Sequence, residues 1–267
     1  MPIPREGDAI FRLEMKTAPA EFADLLTPKG RRMLEGRAAG EPLTPGRPFL
    51  AVSGAVDAKK ASGLRDLIDR SLRGVLTRME DPIPAWTIAD MQENYGELLP
   101  KAVRVKTALL ESRRARAYRI AEEIGLLRLL RSSSFKAFSE VLAGRPLQRG
   151  WGIQALCYSP GDYTGPHNDH HPEEADAKDG YLDVHLTLAT PAVGSHFLVY
   201  AQDGHLSQMQ DVNTVGGITA YRLPFWHYTT PLQAKHKRAA EARRWVLLGT
   251  FLFDRPDPPK GSARNEV

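Results

Sequence analysis

The chain has 267 residues, 42% hydrophobic and 25% charged. These are ordinary globular proportions, enough for one large domain or two modest ones, and they exclude disorder or collagen-like repetition over most of the length. The formal net charge of +4 is unevenly divided, with 26 Lys and Arg against 19 Asp and Glu in residues 1–150, and 10 against 13 in residues 151–267. No apolar run reaches the roughly 20 residues of a membrane-spanning helix, and MPIPREGDAIFRLEMK at the start is charged where a signal peptide needs its apolar stretch. The expectation is a soluble, cytoplasmic protein with no membrane partner. One cysteine, Cys157, rules out an internal disulfide and a thiolate zinc cluster.

In chain order, Ala55 to Leu147 reads as mostly helical. LRDLIDRSLRGVLTRM (64–79) spaces Leu64, Leu67, Ile68, Leu72, Val75 and Leu76 by threes and fours, which predicts one amphipathic helix. DPIPAW (81–86) breaks helix, because a residue before proline avoids the αR region. A second helix is expected through KAVRVKTALLESRRARAYRIAEEIGLLRLL, and a third over 132–144, with a serine cap and Gly144 at its end. The period then changes. Gly152 to Tyr158, Tyr181 to Thr190, His196 to Ala201, Ile218 to Leu223 and Trp245 to Phe253 are short apolar or alternating runs bounded by Gly, Pro, Asp and Asn, and read as strands. Short strands without intervening helices predict a sandwich or jelly-roll barrel. The expected class is α+β, with a mostly helical supporting region over 1–145, a barrel core over 146–256 and a flexible, Pro-rich tail over 257–267.

Three residues stand out for chemistry. YSPGDYTGPHNDHH places His167 two residues before Asp169 after a Gly-rich turn, and RLPFWHYTTPL places His227 at a strand exit. Two neutral imidazoles and a carboxylate on one face of a metal leave coordination positions open, the facial triad of non-haem Fe(II) oxygenases. A later strand begins with Arg243 and Arg244, and a buried guanidinium pairs well with the carboxylate of a co-substrate.

Together these residues resemble the Fe(II)/2-oxoglutarate-dependent dioxygenases, in their prolyl-hydroxylase-like branch. The resemblance spans roughly Phe135 to Phe253. It takes in Gln154-x-x-x-Tyr158-x-x-Gly161-Asp162-Tyr163, His167-x-Asp169, LTLATPAVGSHFLVY, His227-x-x-x-Pro231 and Arg244. It implies a double-stranded β-helix, Fe(II) bound by His167, Asp169 and His227, and 2-oxoglutarate bound by Arg244 with help from Tyr158. With O2 as the other co-substrate, it implies hydroxylation of an unactivated C–H, with release of succinate and CO2. Arg244 lies further from His227 than the family's arginine usually does, and Lys237 and Arg238 sit nearer that spacing. Arg243 competes with it directly, because adjacent strand residues face opposite ways.

His185 and Thr187 share one strand face and are candidates to line the cavity. His170 and His171 adjoin the metal loop without a role, and His196, His205 and His236 show no pattern. The substrates considered are an amino-acid or peptidyl side chain, a specialised metabolite and, third, nucleic acid. The last is prompted by 12 Lys and Arg against four Glu in residues 101–149, but the second arginine of the dealkylating relatives is here Thr250. The alternative reading is a non-catalytic or differently metallated jelly-roll module whose basic helices form its working surface.

Overall fold

The computed structural model describes residues 15–37, 40–81, 103–169, 180–202 and 205–254. A short 3-10 turn at Phe22–Leu25 leads into α1 (Pro28–Leu34), β1 (Phe49–Val52), α2 (Ala58–Leu72), β2 (Thr77–Asp81) and β3 (Val103–Leu109). Three helices follow, α3 (Arg116–Glu123), α4 (Leu126–Leu130) and α5 (Ser133–Ala143). The rest is strand: β4 (Leu147–Tyr158), β5 (Tyr163–His167), β6 (Tyr181–Ala189), β7 (Val193–Ser195), β8 (Phe197–Gln202), β9 (His205–Asp211), β10 (Gly217–Leu223), β11 (His227–Thr229), β12 (Gln233–Ala234) and β13 (Arg244–Phe253).

One 11-stranded sheet runs β1-β10-β6-β13-β4-β3-β5-β11-β8-β9, with β2 added on β3, while β7 and β12 pair separately. Every pairing is antiparallel. β3 pairs with β2 along one edge and, along the other, with β4 through its C-terminal residues and β5 through its N-terminal ones. The sheet therefore turns back on itself, and residues of β6, β13 and β4 share a cavity with residues of β5 and β11. This nearly closed antiparallel sandwich is a jelly-roll, a double-stranded β-helix.

The period of two along each strand divides core from cavity. On β13, Trp245, Leu247 and Phe251 pack into the cluster beneath the helices, whereas Arg244, Val246, Leu248 and Thr250 face the cavity. On β6, Leu182, Val184, Leu186 and Leu188 do the first, and Tyr181, Asp183 and His185 the second. A one-residue slip in either strand would exchange the two sets, so burying the leucine face also fixes the register of the polar one. The helices close the outer face. Phe135 of α5 lies over Gly249, where an added Cβ would stand 2.6 Å from the ring, and Phe22 packs edge-on against both Phe135 and Phe138. Trp245 donates to Asp69 of α2 at 3.1 Å, and Arg65 of α2 donates to the Ala189 carbonyl at 3.0 Å.

The third expected helix is present with its caps: the Ser132 hydroxyl accepts from Phe135 N–H, and Gly144 takes a left-handed φ of 67°. The expected helix over 64–79 is corrected at both ends. It starts at Ala58 behind an Asp57 cap and stops at Leu72, and Thr77–Asp81 is a strand. Val75 and Leu76 fit the helical spacing but pack on the core from outside the α-helix. The expected long second helix is three elements. VRVKTAL alternates buried and more exposed positions as β3. Gly125, at φ 77°, then separates α3 from α4. Three strands of the first half, β1, β2 and β3, thus join the sheet. DPIPAW beyond Asp81, His170, His171 and the 257–267 tail lie outside the described residues. Among the described residues no helix is long and apolar enough to cross a membrane.

Candidate metal centre

His167 ends β5 and His227 begins β11, and the two are directly paired across the antiparallel ladder. Their ring centroids are 4.2 Å apart. Each ring is fixed by the same local bond. His167 Nδ1 donates to the Gly165 carbonyl at 2.6 Å, and His227 Nδ1 donates to the Phe225 carbonyl at 2.9 Å. A carbonyl only accepts, so Nδ1 carries the proton in both rings and each Nε2 presents a lone pair. Phe225 stacks on His227 at 4.9 Å, and Tyr221 meets it edge-on at 5.3 Å.

Asp169 completes the group. Its backbone is left-handed at φ 50°, a conformation that aspartate tolerates better than most residues, and the Tyr181 hydroxyl donates to its carbonyl. Its Oδ2 stands 3.2 Å from His167 Nε2 and 3.6 Å from His227 Nε2. One ligand atom from each of the three residues lies within 4.8 Å of the others. Three acceptor atoms turned toward one point repel one another unless a cation sits between them, and two nitrogens plus one carboxylate oxygen suit Fe(II). The donor set fits that ion.

The three residues line a cavity of about 760 Å³ that also includes Tyr158 and Arg244. Arg244 is 2% exposed. Its Nη2 donates to Thr187 Oγ1 at 3.1 Å, its Nη1 to His196 Nδ1 at 3.3 Å, and the guanidinium lies 5.5 Å from the Tyr158 ring centroid. Its Nε has no hydrogen-bond partner, and among the described residues no carboxylate pairs with it. Burial pulls its pKa down from the ordinary arginine value. A buried, uncompensated guanidinium is costly, and a carboxylate-bearing ligand would relieve that cost. Arg243 points the other way, to Asp69 of α2 at 3.1 Å. Lys237 and Arg238 are exposed, and Arg238 pairs with Glu241.

Tyr158 is 5% exposed, and its hydroxyl shares a 3.0 Å hydrogen bond with Thr164. His185 lines the cavity, Thr187 holds Arg244 and His236 is exposed. Cys157 faces the outer core, where burial pushes its thiol up to about 12. Sequence reading missed His196 and Tyr181. His196 reads only as the first residue of an expected strand, and its contact with Arg244 spans 48 residues. Tyr181 carries an alternation signal that puts it on the His185 face, but nothing in sequence links it to Asp169.

No family model matches the chain, and no curated protein matches it. Solved structures with a similar path include a prolyl-4-hydroxylase from Pseudomonas putida, 14% identical over 78% of this chain and 94% of that one, with a TM-score of 0.45. The α-ketoglutarate-dependent epimerase SnoN from nogalamycin biosynthesis is 15% identical over 88% of this chain and 91% of that one, at 0.49. A prolyl hydroxylase from Trichoplax adhaerens, in complex with a hypoxia inducible factor peptide fragment, is 13% identical over 83% and 88%, at 0.42. At such identities the functional reading rests on the site's own geometry.

Proposed function

We propose that this chain is an Fe(II)- and 2-oxoglutarate-dependent oxygenase that hydroxylates an unactivated C–H of an amino-acid, peptidyl or other small-molecule substrate, releasing succinate and CO2. The observation that carries this reading is the presence, in one cavity, of three converging acceptor atoms and a buried guanidinium that makes no ion pair among the described residues. Iron, 2-oxoglutarate and O2 would together supply the oxidising power that no side chain here possesses.

The chain's own residues do the rest. His167, Asp169 and His227 hold the metal, and the Gly165 and Phe225 carbonyls keep both imidazoles in the tautomer that ligates. Arg244 binds the far carboxylate of 2-oxoglutarate, with Thr187 and His196 holding its fork in place and Tyr158 beside it. Val246, Leu248 and Leu156 form apolar walls that limit water around the reacting C–H.

The test is iron-dependent succinate formation by single-site variants. His167→Ala and Asp169→Ala should each abolish it while leaving the fold nearly intact, because the three side chains contribute little to the core. Arg244→Ala should raise the half-saturating 2-oxoglutarate concentration at least about tenfold. Arg243→Ala, whose side chain faces α2, should not. Full iron-dependent turnover in either triad variant would refute the assignment.

A further inference from the structure

We propose that the exposed arginines leading into and along α3 form a docking surface for an acidic segment of a peptidyl substrate, the target side chain of which enters the cavity. This names a substrate class for the oxygenase proposed above and rests on that reading. Arg113, Arg114, Arg116 and Arg119 are all exposed, and among the described residues none makes an ion pair with a carboxylate. Other arginines are neutralised in place, as Arg65 is by Asp66, Arg78 by Asp162, Arg238 by Glu241 and Arg243 by Asp69. Of the nearby acids, Glu111 turns away from them, its Oε1 3.1 Å from the position a Cβ on Gly152 would take, and the exposed Glu122 and Glu123 at the far end of α3 make no ion pair with Arg119. Ala115, the N-cap of α3, offers no side-chain cap, and the first turn has no acidic residue, so the positive end of the helix adds to the four charges.

Position links this patch to the cavity. Leu109 and Glu111 both line it, Leu109 at 61% exposure, and each residue beyond them advances the chain by at most about 3.5 Å. Arg113 and Arg114 therefore lie within about 7 and 11 Å of Glu111. Residues 113–131 contain six arginines and no lysine. A guanidinium fork matches a carboxylate or phosphate where an ammonium supplies only a point charge. The neighbouring surface favours a peptide over nucleic acid. Lining the cavity, the exposed Leu109 and Met79 offer aliphatic contact to flanking side chains, and among the described residues none of the most exposed large apolar side chains is aromatic, as base stacking requires.

The test is fluorescence anisotropy on the full-length, iron-free protein, with three fluorescein-labelled probes: a glutamate-rich peptide containing proline, the same peptide with glutamine for every glutamate, and an oligothymidylate of similar length. The glutamate peptide should bind, and binding should weaken about tenfold in the quadruple variant Arg113→Gln/Arg114→Gln/Arg116→Gln/Arg119→Gln. Binding should also weaken as salt rises from about 50 to about 300 mM. Arg31→Gln/Arg32→Gln on α1 should leave it unchanged, and the glutamine peptide should not bind. Equal binding by the quadruple variant, or by the glutamine peptide, would overturn the proposal. Tighter binding of the oligothymidylate, lost in the quadruple variant, would overturn it in favour of a nucleic-acid surface. Because no metal is present, this outcome is independent of iron and 2-oxoglutarate binding, and either proposal fails without taking the other's measurement with it.

Discussion

His167 and His227 owe their ligating form to a bond made two residues back along their own chain, at Gly165 and Phe225, so each imidazole is set by local geometry rather than by a distant partner. His196 is set differently. It is wholly buried, and burial, with the Arg244 charge second, holds its imidazole well below the usual histidine range. It therefore stays neutral, and its Nδ1 remains free to accept from Arg244. The unfolded chain takes up the proton first on acidification, so stability contributed by this residue is lost as pH falls below about 6.5. Urea midpoints measured between pH 7 and 5 should fall less steeply for His196→Gln than for the wild type. Parallel slopes would mean that His196 is not held neutral by its surroundings.

Among the elements, α5 has the most to do in supporting the cavity from outside, because Phe135 presses on β13 at Gly249, midway between inward-facing Leu248 and Thr250. Its start depends on Ser132, whose hydroxyl accepts from the buried N–H groups of both Phe22 and Phe135, each at 3.2 Å. Ser132→Ala removes both bonds and should cost about 1–2 kcal/mol by chemical denaturation. A loss within error of zero would show that the cap is dispensable. Gly249 has no such tolerance, since even a methyl group there must displace an aromatic ring. On the other side, the carboxylate of Asp162, in the turn before β5, is held by Arg78 at 3.0 Å and by Ser159 N–H at 2.8 Å. β2 is thereby tied to the strand that carries His167.

Over the whole molecule, the readable part of the sequence was the part governed by short-range pattern. The alternation in β6 and β13 identified both strands and put His185 and Thr187 on one face, but left Arg243 and Arg244 as alternatives for the inward position. The Ser132 and Gly144 caps framed α5 for the same reason. Where apolar spacing suits more than one element, the reading failed, as at Val75 and Leu76, and at VRVKTAL, whose two-residue alternation lay inside a longer run of helix-forming residues. Contacts distant in sequence left little trace. The pairing of β1 with β10, the hold of Tyr181 on Asp169 and the support of Arg244 by His196 follow from closure of the sheet.

That closure brings His167, Asp169, His227 and Arg244 into one cavity, and the most direct test of its meaning is an anaerobic titration of the apoprotein with Fe(II) and then 2-oxoglutarate, followed by visible absorption. The account predicts a weak, saturable visible band that appears only when both are present and is lost in His227→Ala. Iron binding without such a band would contradict the assignment of 2-oxoglutarate to this pocket, and failure to bind iron would contradict the metal centre itself.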